Sequence, residues 1–261
     1  MTQTPQAPVV VRIRGLWKSF GQQTVLSGVD LDMRLGNNLV LLGASGSGKT
    51  VLMKCMLGLL SPDAGSIEIS GRETIGISRA ERSSLMRKIG VVFQNGALFD
   101  SLTVGENVAF PLRERGDLTE VQIYQIVDGL LEMVGVGQYR DHVPSDLSTG
   151  MKRSVAIARA LAAQPECVLY DEPTTMVDPL MAQLLGDLIK KLKYQLKLTS
   201  IVVTHDMALA QKIADRVLFL HEGKKVYDGP PAEMKDSEID IVREFMHLDS
   251  MELMETIRKP G

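Results

Sequence analysis

Apolar and polar positions alternate along the first part of the chain. The alternation runs from residue 9 to residue 35 and is broken at Gly15, Gly21 and Gly28. A period of two is typical of half-buried strands, and glycine between such runs is typical of turns. The pattern therefore predicts antiparallel strands joined by turns at these glycines.

The period then changes and predicts a strand, a loop and a helix in succession. Asn38–Leu42 is a short apolar run, and residues 43–48 are rich in glycine. Lys49–Leu60 has the apolar spacing of a helix that ends before Ser61 and Pro62. This order favours an α/β core.

Helical patterns dominate from about residue 95 to residue 163. Thr119 and Glu120 open one amphipathic segment, and Ser148 opens another. Threonine and serine are common at helix N-caps, where the side-chain oxygen accepts a backbone N–H. The region is therefore predicted to be a helical insert.

The α/β pattern resumes after this insert. Val168–Tyr170 and Ser200–Thr204 are short apolar runs, and the helical pattern of Leu180–Leu196 separates them, which predicts parallel strands with a crossover helix. In residues 236–261, Ile241, Phe245 and Leu248 share one helical face. We expect this last segment to be a helical interaction tail.

Composition narrows the possible classes of protein. The chain has 261 residues, 44% hydrophobic and 23% charged, which fits one large domain with a subdomain. A net charge of -3 gives no basic excess, so no nucleic-acid partner is expected. Cys55 and Cys167 lie in apolar runs and are expected to be reduced core thiols, and no apolar stretch approaches the roughly 20 residues that span a bilayer.

A glycine-rich loop carries the first chemical signal. The run Gly-Ala-Ser-Gly-Ser-Gly-Lys-Thr matches the P-loop pattern between a predicted strand and a predicted helix. Its N–H groups and the helix N-terminus bind phosphate, Lys49 reaches the outer phosphates, and the Thr50 hydroxyl can bind Mg²⁺. The predicted nucleotide-binding residues are Gly43, Ala44, Ser45, Gly46, Ser47, Gly48, Lys49 and Thr50.

Two carboxylates follow the next buried strand. Asp171 and Glu172 come directly after the apolar run that ends at Tyr170. Open α/β sheets bind ligands at the carboxyl ends of their strands. Asp171 is therefore predicted to hold Mg²⁺, and Glu172 to polarise the water that attacks the γ-phosphate.

The segment from Leu147 to Arg153, Leu-Ser-Thr-Gly-Met-Lys-Arg, resembles the LSGGQ-type signature of the ATP-binding cassette (ABC) family. The resemblance covers the chain from about Val9 to Pro231. It implies a P-loop NTPase (RecA-like) α/β core with an antiparallel β subdomain and a helical subdomain, within a cassette at residues 9–235. It also implies that ATP, with Mg²⁺, is held between two copies of the chain.

The resemblance also implies roles for single residues. Ser148 and Gly150 bind the γ-phosphate held by the other copy, whereas Thr149 replaces the usual glycine and adds a Cβ that crowds the phosphate unless its φ is negative.

Further positions of this sequence match the family. Phe20 corresponds to the aromatic residue that stacks on adenine, and Gln94 to the glutamine that touches Mg²⁺. His205 corresponds to the histidine that contacts the γ-phosphate, and Asp178 to the aspartate of the loop through which the two copies communicate. With Lys49 and both carboxylates also present, an active ATPase is expected.

The segment from Gln94 to Arg115 resembles the corresponding part of the ATPases of MCE (mammalian-cell-entry) or Mla-type phospholipid transport systems. The resemblance implies a transmembrane permease subunit, an MCE-domain protein and a small regulatory subunit as partners. It places the chain peripherally on the cytoplasmic face of the inner membrane. The alternatives are a cassette that serves amino acids or metal ions, and a soluble ABC ATPase acting on DNA or ribosomes.

Overall fold

A computed structural model describes residues 7–246 of the chain, which form two compact units. The first unit contains Gly76–Val202, and the second contains Pro8–Ile75 and the residues from Val203 onward. In chain order the strands are β1 (Val9–Phe20), β2 (Gln23–Arg34), β3 (Asn38–Leu42), β4 (Ala64–Ile69), β5 (Arg72–Glu73), β6 (Ile89–Val92), β7 (Cys167–Asp171), β8 (Thr199–Thr204), β9 (Arg216–His221) and β10 (Lys224–Gly229). The helices are α1 (Lys49–Met56), α2 (Arg79–Met86), α3 (Val104–Arg115), α4 (Glu120–Met133), α5 (Thr149–Ala162), α6 (Pro179–Leu196) and α7 (Met207–Ile213).

The second unit contains the predicted antiparallel sheet, with strand order β2-β1-β4-β5. Of the three predicted turns, only the one at Gly21 joins two strands. Gly15 and Gly28 lie inside β1 and β2 at shifts of the strand register, with φ of 53° and 70°. They are bulge positions, where an extra residue takes the left-handed conformation that glycine adopts without strain.

The second unit also contains a mixed layer in which β9 pairs in parallel with β3 and antiparallel with β10. All five residues of β3 are buried, as the apolar run predicted. The helix α1 ends at Met56, four residues before the predicted end at Leu60. Gly58 has a φ of 66°, and the N–H groups of Gly58 and Leu59 donate to the carbonyls of Cys55 and Lys54. This Schellman arrangement ends the helix although apolar residues continue.

The first unit combines a parallel layer with the predicted helices. In the layer, β7 lies between β6 and β8, and β6 pairs in parallel with β7. The predicted helix starts are confirmed: Thr119 is the N-cap of α4 and Ser148 the N-cap of α5. The helix α3 was predicted only as part of the helical region, and the sequence patterns gave no separate prediction of α2 or β6. Both are short, at eight and four residues.

The beginning of the predicted tail packs within the second unit. Residues 240–246 are helical, and the Phe245 ring makes an edge contact with Phe219 at 5.0 Å between centroids. Val242 is fully buried, whereas Ile241, which was predicted on the packing face, is half-buried. Leu248 lies outside the described residues, and the domain boundary at residues 235–236 stays a prediction.

Both cysteines are buried, as expected, and burial raises the pKa of the Cys167 thiol to about 12. Within residues 7–246, no helix is long and apolar enough to cross a membrane.

Candidate nucleotide-binding site

The P-loop residues of the second unit fold around the side chain of Lys49. This side chain is only 6% exposed, and its Nζ donates to the carbonyls of Gly43 at 2.7 Å and Ala44 at 3.1 Å. In a trans peptide the C=O and N–H point in opposite directions. The N–H groups of Ala44 and Ser45 therefore point away from Lys49.

Two glycines of this loop have no room for a side chain. A Cβ on Gly43, whose φ is 155°, would overlap the backbone oxygen of Leu220. A Cβ on Gly48, whose φ is 105°, would lie 2.9 Å from the backbone oxygen of Val25. Gly46 also has a positive φ, 80°, but a Cβ there would have no neighbour within 4 Å. Gly46 thus lies on the open side of the loop.

The open side of the loop suits an anion. Ala44, Ser45 and Gly46 are exposed, and α1 begins directly after the loop with no capping side chain and no acidic residue in its first turn. The Ser47 hydroxyl is buried and has no hydrogen-bond partner among the described residues. N–H groups at a helix N-terminus and a positive helix end bind phosphate in many proteins. The loop therefore fits the phosphates of a nucleotide.

Two more predicted site residues belong to the second unit. Phe20, the last residue of β1, is 49% exposed, and Lys18 Nζ lies 5.5 Å from its ring centroid. Lys18 is itself held by Asp63 at 2.7 Å. His205 is exposed and follows β8 directly. Both side chains are thus accessible at strand ends.

The two predicted acidic residues belong to the first unit. Asp171 is the last residue of β7, and Glu172 follows it; both are half-buried. Glu172 has a φ of 46°, a conformation that costs a non-glycine residue about 1–3 kcal/mol. The Thr175 hydroxyl donates to Glu172 Oε2 at 3.2 Å. Backbone and hydroxyl together fix the direction of this carboxylate.

The signature residues lie at the start of α5, also in the first unit. Ser148 Oγ accepts the N–H of Met151 at 3.3 Å. Thr149 is exposed and is the first residue of the helix, and it is not among the residues with positive φ. A Cβ is compatible with negative φ, so Thr149 does not carry the backbone strain that a positive φ would cause.

The loop after Glu172 reaches the signature through α6. Asp178 is the N-cap of α6, and its Oδ1 accepts the N–H of Met181 at 2.9 Å. The Met181 side chain covers Gly150 so closely that a Cβ on Gly150 would overlap its terminal methyl group. Within the first unit, the N-terminus of α6 therefore carries Asp178 and also lies against Gly150 of α5.

Gln94 is exposed in the turn after β6, and two arginines that the sequence analysis missed hold this turn. Arg153 donates to the Phe93 carbonyl at 2.7 Å, and Arg159 donates to the carbonyls of Gly96 and Ala97, both at 2.8 Å. Both arginines interrupt the apolar face of α5, which was the available signal. A charged residue inside an apolar helix pattern usually has a defined partner.

Comparison with known proteins then decides the family. The sequence matches the ABC transporter family over residues 26–175, more than half of the chain. The chain belongs to the ABC transporter family. It is an ATP-binding and ATP-hydrolysing subunit of a transporter. The matched range contains the P-loop, Gln94, the signature and both acidic residues.

Relatives with different named functions resemble this ABC subunit. It is 41% identical to the chloroplastic protein TRIGALACTOSYLDIACYLGLYCEROL 3 of Arabidopsis thaliana, covering 91% of this chain and 73% of that protein. It is 38% identical to the probable ribonucleotide transport ATP-binding protein mkl of Mycobacterium leprae, covering 92% and 69%. It is also 38% identical to the methionine import ATP-binding protein MetN of Brucella abortus, covering 85% and 60%.

Solved structures of ABC cassettes have the same fold. The dimeric post-hydrolysis state of the ATP-binding cassette MJ0796, bound to ADP and Pi, is 31% identical with a TM-score of 0.77, covering 85% of this chain and 98% of that one. The cbiO1 protein of Clostridium perfringens, part of the ABC transporter complex cbiONQ, is 29% identical with a TM-score of 0.81, covering 95% and 99%. The predicted fold class is confirmed.

The two kinds of P-loop glycine predict different effects of the same substitution. Gly43→Ala places a Cβ against a backbone oxygen and should lower the free energy of unfolding by about 3 kcal/mol and abolish ATP binding. Gly46→Ala meets no neighbour within the chain and should lower the free energy of unfolding by only about 1 kcal/mol. Its Cβ lies on the side proposed to face the phosphates, so ATP binding should weaken although the fold is kept. Urea unfolding and titration with a fluorescent ATP analogue measure both effects. Equal losses of unfolding free energy in the two variants would contradict the assignment of Gly46 to the open side.

Proposed function

We propose that Lys49 and the P-loop N–H groups bind the phosphates of ATP, and that Phe20 stacks on its adenine. The observation that carries this proposal is the inward turn of the Gly43 and Ala44 carbonyls toward Lys49, which directs the adjoining N–H groups outward. The exposed ring of Phe20 provides apolar surface for a base.

The oxygen donors of the proposed site fit Mg²⁺. Mg²⁺ prefers hard oxygen ligands and retains several waters. The hydroxyl of Thr50, the side-chain amide oxygen of Gln94 and the carboxylate of Asp171 are such ligands, and we assign the metal to them. When bound, Mg²⁺ neutralises developing negative charge on the phosphates.

In the proposed reaction, Glu172 accepts a proton from the attacking water. The water oxygen bonds to the γ-phosphorus while the bond from that phosphorus to the bridging oxygen breaks, which yields ADP and inorganic phosphate. The Thr175 hydroxyl supports this role because it donates to Oε2 of Glu172 and so fixes the direction of the carboxylate. His205 is assigned to the γ-phosphate, where it stabilises the transferred group.

The working unit is proposed to be a dimer of this chain. The N-terminus of α5 is suited to a γ-phosphate presented by a second copy. Ser148 and Thr149 are exposed there, and Gly150 is buried. Asp178 is assigned to communication between the copies. The dimeric state of the related cassette MJ0796 supports this assembly.

A transmembrane permease is the proposed partner of the dimer. Phe99 and Phe110 are 44% and 40% exposed, and their rings lie 4.9 Å apart on the segment after Gln94. We call this pair the Phe99–Phe110 surface. Exposed aromatic pairs are common at protein interfaces. The relation to cbiO1, part of the cbiONQ complex, supports a membrane-bound assembly with this chain at its periphery.

The proposed cargo is a lipid. The Arabidopsis thaliana relative, which is 41% identical, is named after a glycerolipid. The segment from Gln94 to Arg115 resembles the corresponding part of ATPases of MCE or Mla-type systems. We therefore propose phospholipid transport at the inner membrane, with an MCE-domain protein and a small regulatory subunit as further partners. The mkl and MetN relatives keep ribonucleotide and methionine transport as alternatives.

The catalytic assignment predicts that Glu172→Gln abolishes turnover but preserves ATP binding. An amide cannot accept the proton of water as a carboxylate does, so kcat should fall by about 10² or more. The ATP-bound dimer should accumulate and appear in size-exclusion chromatography. Glu166→Gln, which changes an exposed carboxylate just before β7, is the matched control and should keep its activity. Unchanged turnover in Glu172→Gln would refute the assignment.

The partner assignment predicts that the chain purifies from native membranes with a permease and bound phospholipid. Phe110→Asp should reduce recovery of the permease because it places a charge on the Phe99–Phe110 surface. Val121→Asp changes a residue of α4 that is more exposed than Phe110, at 67% against 40%, and should not reduce this recovery. Mass spectrometry identifies proteins and lipids in the same sample. Recovery of ribosomes or DNA-repair proteins without a permease contradicts transport, and a permease loaded with methionine or ribonucleotide contradicts the lipid cargo.

A further inference from the structure

Arg153 of α5 joins two loops of the first unit that are far apart in the sequence. Its side chain is 3% exposed, with Nη1 donating to the Phe93 carbonyl at 2.7 Å and Nη2 donating to the Thr175 carbonyl at 3.2 Å. Phe93 lies 60 residues before Arg153, and Thr175 lies 22 residues after it. One planar guanidinium therefore fixes the distance between the two loops.

Each of these two carbonyls adjoins a residue assigned to catalysis. Phe93 directly precedes Gln94. Thr175 donates its hydroxyl to Glu172 Oε2 at 3.2 Å, so the backbone that Arg153 holds also carries the partner of this carboxylate. A shift of either carbonyl would move Gln94 or reorient Glu172.

The position of Arg153 on α5 adds a third element. It lies one helical turn after Gly150, so the helix that presents the signature also carries the guanidinium. Burial lowers the pKa of Arg153, and the charge of Asp171 opposes that shift. The side chain retains its charge, because arginine stays protonated well above neutral pH.

We propose that Arg153 is a positioning residue that couples the signature helix to the Gln94 turn and to the loop after Glu172. This inference rests on the proposed function. In the proposed dimer, the signature of one copy contacts the nucleotide bound by the other copy. Arg153 then links that signature, within its own copy, to Gln94 and Glu172. Movement of α5 on dimer formation would then be transmitted to Gln94 and Glu172 together.

The test compares Arg153→Lys and Arg153→Met with Arg159→Lys and Arg159→Met. Arg159 is the matched control, because it lies on the same helix and also binds two carbonyls, those of Gly96 and Ala97, but both are in one loop. A lysine ammonium is a single point and cannot span two loops as a guanidinium does. Arg153→Lys keeps the charge, so it still tests the proposal if Arg153→Met does not fold.

Both Arg153 variants are expected to lose about tenfold or more in kcat while their affinity for ATP changes by less than about threefold. Without nucleotide, hydrogen exchange should rise in residues 93–97 and also in residues 172–178. The Arg159 variants should raise exchange only in residues 93–97. This paired response is a readout that a purely local packing role would not give.

Two results would overturn the inference. One is an Arg153→Lys variant with wild-type kcat, and the other is increased exchange in only one of the two loops. Failure of the proposed function is recognised separately, because the wild-type chain would then show no turnover sensitive to Glu172→Gln.

Discussion

Bonds from buried and half-buried cationic side chains to backbone carbonyls shape the loops that follow the strands. Lys49 binds two carbonyls of the P-loop, Arg153 binds one carbonyl in each of two loops, and Arg159 binds two in the Gln94 turn. These carbonyls have no ladder partner, although those of Ala44 and Phe93 also accept turn N–H groups, from Ser47 and Gly96. Leaving a buried carbonyl without a partner costs about 1–3 kcal/mol. A cation satisfies these groups and at the same time fixes which way the adjoining N–H groups point.

This constraint connects folding with chemistry. A phosphate-binding loop needs its N–H groups to point outward and its carbonyls inward. The Lys49 ammonium donates to the inward carbonyls, so they need no neighbouring strand as a partner. The same logic applies to Glu172, whose positive φ is held by a loop that Arg153 and Thr175 secure. Strain at a catalytic position persists only where the surrounding contacts determine it.

Much of this arrangement was readable from the sequence, because P-loop, signature and strand-end acids are local patterns. The N-caps Thr119 and Ser148 were also local and were predicted correctly. The end of α1 was predicted too late, because an apolar run continues the helical pattern past the Schellman turn at Gly58. The role of Arg153 could not be predicted, since it depends on two carbonyls that only the tertiary structure brings to it.

In the proposed dimer, each ATP site joins the P-loop of one copy to the signature of another. Ser45 and Thr149 are exposed and the native cysteines are buried, so Ser45→Cys in one preparation and Thr149→Cys in another can be labelled selectively. Both carry Glu172→Gln, are mixed, and are treated with a short thiol-reactive crosslinker. We expect a crosslink between the two different copies with ATP and none with ADP. Equal crosslinking with both nucleotides, or none with ATP, would contradict the shared site.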